Sequence, residues 1–149
     1  MAGKYGIVST DGIALAAATA KTVMQLVAAA NHPIDLIEFS VGFDGTNNTY
    51  EPVEVRLIRQ SDAGTMTGDT VVGANDSDGD TFDTTAQHTA TAEPTGTIVL
   101  RTFRVHPQTG FTFQTHDLAP IHVGAGDRIG LVCTAANTVN VDVIMCFVE

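Results

Sequence analysis

Tryptophan is absent from this chain, and its 149 residues hold only two tyrosines, two cysteines and seven basic side chains against seventeen acids. Each shortage excludes something. Two cysteines cannot build a disulfide framework, and a chain of this length needs none, since it can bury roughly 70% of the surface its unfolded form exposes. The formal charge of −10, with Lys and Arg scattered from Lys4 to Arg128, speaks against a nucleic-acid partner, which demands clustered basic residues. The longest clean apolar run near the N-terminus, residues 13–18, is too short for a signal-peptide core or a membrane span. No membrane partner is expected.

Catalytic signatures are missing as well. None of the four serines lies in Gly-x-Ser-x-Gly, and Cys133 and Cys146 fall in apolar strand-like runs, which marks them as reduced, buried thiols. If those two runs form a hairpin turning at residues 135–138, Cys133 sits near the turn and Cys146 at the far end, out of disulfide reach. His106, His116 and His122 crowd one region and invite a metal-cupin reading, but no His-x-His pair occurs. If residues 111–116 fold back on residues 98–106, His116 lies opposite Arg101 rather than His106.

The run HVGAGDRIG, residues 122–130, spaces Gly124, Gly126 and Gly130 one residue too widely for a dinucleotide fingerprint and leads into a strand-like IGLVCT, not a helix. It reads as a turn in which Gly124 and Gly126 take tight or positive-φ positions, Asp127 bonds back to the turn and Arg128 opens a strand. The run NDSDGDTFD, residues 75–83, puts Asp76, Asp78, Asp80 and Asp83 within reach of a hard cation, yet its spacing is not that of an EF-hand. A solvated acidic loop is the favoured reading, with Asp76, Asp78 and Asp80 as weak metal candidates. Neither an enzyme nor a cofactor is expected.

What the chain has in quantity is alternation. Residues 34–43 (IDLIEFSVGF), 53–60 (VEVRLIRQ) and 98–106 (IVLRTFRVH) alternate apolar and polar positions, with Arg101 and Arg104 on the polar side of the last. Residues 111–116 follow a Pro-Gln-Thr-Gly turn, and Val139, Val141, Val143, Met145 and Phe147 line one face of a terminal strand. Residues 13–30 (IALAAATAKTVMQLVAAA) are rich in helix formers, but no capped acidic first turn precedes them and their apolar positions cover every helical face. Two strands, about 13–17 and 22–27, are favoured over a helix. Residues 62–94 carry seven acids and no Lys or Arg, and read as long loops around one or two short strands at most. The whole is an all-β single domain, a sandwich or barrel.

The strings KTVMQLVAAANHPIDLIEFSVGFDGTNNTYEPVEVRLIRQSDAGTMTG, TTAQHTATAEPTGTIVLRTFRVHPQTGF and GAGDRIGLV together resemble the capsid decoration proteins of tailed phages, over most of the chain from about Lys21 onward. The acidic stretch, residues 73–83, lies outside that pattern. The resemblance implies a jelly-roll β-sandwich that forms a homotrimer at threefold and quasi-threefold positions on the outer capsid surface. Its partner would be the major capsid protein, and its place the virion after synthesis in the host cytoplasm. Residues 13–149 would form the sandwich and residues 1–12 an N-terminal arm or edge strand, with Lys4, Tyr5, Gly6 and Ile7 as candidate capsid contacts. The rival reading is a glycan- or receptor-binding jelly-roll module of a phage fibre, for which Tyr5 and Tyr50 offer few stacking platforms.

Overall fold

The computed structural model describes residues 3–74, 81–116 and 118–149. In chain order its strands are β1 (Tyr5–Leu15), β2 (Lys21–Val27), β3 (Ile34–Phe43), β4 (Val53–Gln60), β5 (Thr65–Asp69), β6 (Val72–Gly73), β7 (Thr85–Ala92), β8 (Gly96–Val105), β9 (Gly110–Gln114), β10 (Ile121–Val123), β11 (Arg128–Thr134) and β12 (Val139–Val148). There is no helix among the described residues. The strands form two antiparallel sheets, ordered β10-β3-β12-β1-β6 and β5-β7-β2-β11-β4-β8, with β9 also pairing β3. The protein is a β-sandwich.

Alternation explains the sandwich. Along β12 the side chains of Val139, Val141, Val143, Met145 and Phe147 are all buried while Asn140 and Asp142 face out. Val53, Val55 and Leu57 of β4 and Ile129, Leu131 and Cys133 of β11 meet them from the opposite sheet. Each such aliphatic or aromatic side chain withdrawn from water contributes roughly 1.5–3 kcal/mol.

The helix-prone segment divides into the end of β1, an exposed turn and β2, and β2 is buried on both faces: Thr22, Val23, Met24, Gln25 and Leu26 are all inaccessible, a pattern without the single apolar stripe of an amphipathic helix. Polar side chains on its outer face are satisfied locally. Gln25 Nε2 donates to Gln60 Oε1 (2.7 Å), Gln87 Nε2 donates to Gln25 Oε1 (2.8 Å), and Thr22 Oγ1 donates to Glu93 Oε2 (2.6 Å).

Of the arm or edge strand expected for residues 1–12, residues 5–12 are strand: β1 continues through residue 13, with a bulge between Thr10 and Ile13, and pairs β12 along its length. Three expectations are corrected. The described part of residues 62–94 holds three strands, of which the eight-residue β7 is an interior member of its sheet. The hairpin drawn for the two cysteine runs does not form, because β11 and β12 lie in opposite sheets and residues 135–138 cross between them. Lastly, β9 pairs β3 rather than β8, so His116 does not face Arg101 across a ladder. The two strands meet through the core instead: Phe103 packs on Phe111 (centroids 4.6 Å) and Phe113 (5.6 Å), and the Arg101 guanidinium lies 5.9 Å over Phe113. Arg101 thus lies over an inner-face ring, whereas Arg104 pairs outward with Glu54 at 2.6 Å.

The HVGAGDRIG run is a turn between β10 and β11. Gly126 has φ of 78°, the left-handed region open to glycine without strain. The Asp127 amide donates to the Gly124 carbonyl (2.9 Å) and the Gly126 amide to the Ala29 carbonyl (2.9 Å), which ties the turn to the end of β2.

Candidate interaction surface

Directly opposed residues of an antiparallel ladder present their side chains on one face. On the outside of the first sheet this gives three cross-strand rows. Tyr5 lies opposite Val148, which lies opposite Asp35, itself opposite His122. Val72 lies opposite Ile7, then come Cys146, Glu38 and Gln114. Ser9 lies opposite Ile144, followed by Ser40 and Thr112.

The rows divide the face in two. Over β3, β9 and β10 it is polar and internally paired: His122 Nδ1 sits 2.9 Å from Asp35 Oδ1, Gln114 Nε2 donates to Glu38 Oε2 (2.6 Å), and the Ser40 and Thr112 hydroxyls are 2.9 Å apart. Over β6, β1 and β12 it is apolar and part-exposed, with Val72 at 54%, Ile144 at 39% and Tyr5 at 38% accessible, and Ile7, Cys146 and Val148 half-buried between them. A shallow groove of about 300 Å³, lined by Ser9, Thr10, Asp11, Asp142, Val143 and Ile144, adjoins this half. A second apolar exposure lies on the other sheet, where the edge strand β8 shows Ile98 and Val99.

The four capsid-contact candidates separate by strand parity. Tyr5 and Ile7 belong to the apolar half-face. Gly6 faces the core, where a Cβ would meet Phe147 Cζ at 2.5 Å. Lys4 is held at the sheet end: its amide and carbonyl both bond Glu149 (2.9 Å each), and its ammonium donates to the Thr81 carbonyl (2.9 Å). Val72, Ile144 and Val148 escaped the sequence reading. Ile144 and Val148 stand at outward positions of β12 among the same apolar run that fills the core, and Val72 belongs to a two-residue strand.

Of the chemical candidates, Asp76, Asp78 and Asp80 lie outside the described residues. His106, His116 and His122 do not gather: the His106 ring contacts the Asn48 carbonyl and the Gln108 amide, His116 Nδ1 accepts from Leu118, and His122 pairs with Asp35. Both cysteines are free thiols, Cys133 buried with its pKa pushed up by burial to about 12, and Cys146 half-buried and raised by burial and by nearby Glu38. Among the described residues one cluster joins histidine to carboxylates, His32 with Asp83 and Glu149, at the end of the molecule where Lys4 is held.

Compared with protein-family models, with curated proteins and with solved structures, the chain finds no match.

Proposed function

We propose that this protein is a structural component of a tailed-phage virion, a jelly-roll sandwich that binds the outside of the capsid as a homotrimer and stabilises the shell. The observation that carries the reading is the apolar half-face of Tyr5, Ile7, Val72, Ile144 and Val148, which is built on two long paired strands and bordered by the carboxylates of Asp35, Glu38 and Asp142. A sheet face of this kind suits binding by area to a broad partner. The resemblance of residues 21–149 to capsid decoration proteins supplies the partner, the major capsid protein. Ile98 and Val99 on β8, in the other sheet, serve contact between copies, so that attachment to the shell and trimer formation use separate surfaces. Three half-faces engaging one shell together gain an avidity that none has alone.

Sedimentation with empty capsids of the phage that carries this chain tests the reading. The wild-type protein pellets with the shells and saturates, whereas Ile144→Asp, with an unchanged solution mass, stays in the supernatant. A wild-type protein that never pellets overturns the function, and an Ile144→Asp variant that pellets fully overturns the assignment of the face.

A further inference from the structure

Three residues far apart in the chain converge beyond the end of the first sheet. His32 lies in the turn before β3, Asp83 just before β7, and Glu149 directly after β12. His32 Nε2 stands 3.5 Å from Asp83 Oδ2 and 3.6 Å from Glu149 Oε1, and the three ligand atoms lie within 4.8 Å of one another.

Those separations are long for hydrogen bonds, which to a charged carboxylate run at about 2.7–2.9 Å. The two histidine-to-carboxylate separations match the edges of a metal coordination sphere. With zinc-to-nitrogen and zinc-to-oxygen bonds of about 2.0–2.2 Å, two ligand atoms of a tetrahedron stand roughly 3.3–3.6 Å apart. Glu149 is also positioned as a ligand residue usually is. Its side chain is 3% accessible, its Oε1 accepts the Asp83 amide (3.2 Å) and its Oε2 the Thr84 amide (2.7 Å), which fix the carboxylate's orientation. On the same short segment the Thr84 hydroxyl is buried and has no hydrogen-bond partner among the described residues, the sort of group that marks an incompletely satisfied polar site. Lys4 is the competing cation. Its ammonium is 3.9 Å from Glu149 Oε1, with the side chain 47% accessible, and donates instead to the Thr81 carbonyl at 2.9 Å.

We propose that His32, Asp83 and Glu149 form a binding site for a first-row divalent cation of the zinc type, with solvent as the fourth ligand. The nitrogen ligand and the count of three distinguish it from a calcium or magnesium site, which gathers six or more oxygens. Bound metal would join the turn before β3, the segment entering β7 and the end of β12, and would stabilise the folded chain by mass action. The inference does not rest on the capsid reading: the cluster lies beside Tyr5 and Val148 at the end of the sheet, but none of its three residues belongs to the apolar half-face, and metal uptake by the isolated chain is independent of capsid binding.

Isothermal titration of the full chain with Zn²⁺ alone, and with Ca²⁺ in parallel, tests it. The expected result is one Zn²⁺ per chain, a weaker response to Ca²⁺, and an affinity lowered more than about tenfold by His32→Ala. Nitrogen NMR of the wild-type histidine rings supplies a readout that does not depend on the variant folding: Zn²⁺ shifts the His32 resonance and leaves those of His106 and His116 in place. Absence of saturable Zn²⁺ uptake, tighter binding of Ca²⁺ than Zn²⁺, undiminished binding by His32→Ala, or a shift at another histidine instead of His32 each overturns it.

Discussion

Gly6 shows how little tolerance the packed face leaves to a single residue. Its hypothetical Cβ would approach Phe147 at 2.5, 2.8 and 3.0 Å, and that ring is fully buried and set edge-on to Phe82 at 5.8 Å. Gly6→Ala should therefore destabilise the fold by about 1–3 kcal/mol, as overpacking does in a closed core. Urea unfolding would show this as a lower midpoint with an unchanged slope, while a midpoint equal to that of the wild type would mean the ring moves aside freely. At this scale the sequence was legible where a residue acts alone. The turn expected at Gly124 and Gly126 was legible, with Gly126 taking the positive φ, but the facing of Gly6 depended on the register of β1 against β12, and its neighbours Tyr5 and Ile7 point the other way. The His32 cluster was not legible at all, since its members are brought together only by three separate strand ends.

Among the elements, period two identified β3, β4 and β12 because each has one face on the core. It was less informative for β2, buried on both faces, and for β8, an edge strand in which Val105 alone is fully buried. Pairing partners were the hardest feature to read, since β9 chooses β3 over β8 and β11 parts from β12, and local sequence does not encode which sheet a strand joins. One side-chain clamp now visible joins two elements directly. Asp44, just past β3, accepts the Asn140 amide on Oδ1 (2.8 Å) and Asn140 Nδ2 on Oδ2 (2.7 Å), at the start of β12. The Asn140 side-chain bond first, and its backbone bond second, hold the Asp44 carboxyl below its ordinary value of 3.8. A pKa lower in the folded than in the unfolded chain contributes stability above 3.8 that is lost as pH falls through the folded value. Asp62, lowered by its bonds to Thr95, shifts the same way. Between pH 5 and pH 3 the wild type should lose stability that Asp44→Asn retains in part, as read from urea midpoints at both pH values. Equal losses in the two proteins would show that the clamp is not proton-linked.

For the molecule as a whole, composition announced an acidic globular body and alternation an all-β one, and the two antiparallel sheets agree with the latter. Which surfaces meet partners could not be read from composition, because the exposed large apolar side chains of the strands are a small set placed by register, Val72, Tyr5 and Ile144 on one sheet and Ile98 and Val99 on the edge of the other, with Leu118 in a loop besides. The proposed role depends on both surfaces acting at once, since three linked half-faces gain an avidity that one lacks. Association into a closed ring of three is thus the central claim, and light scattering coupled to size exclusion tests it most directly. The proposal predicts a solution mass three times the 15.6 kDa of the chain. A stable species of 15.6 kDa across the accessible concentration range would contradict it.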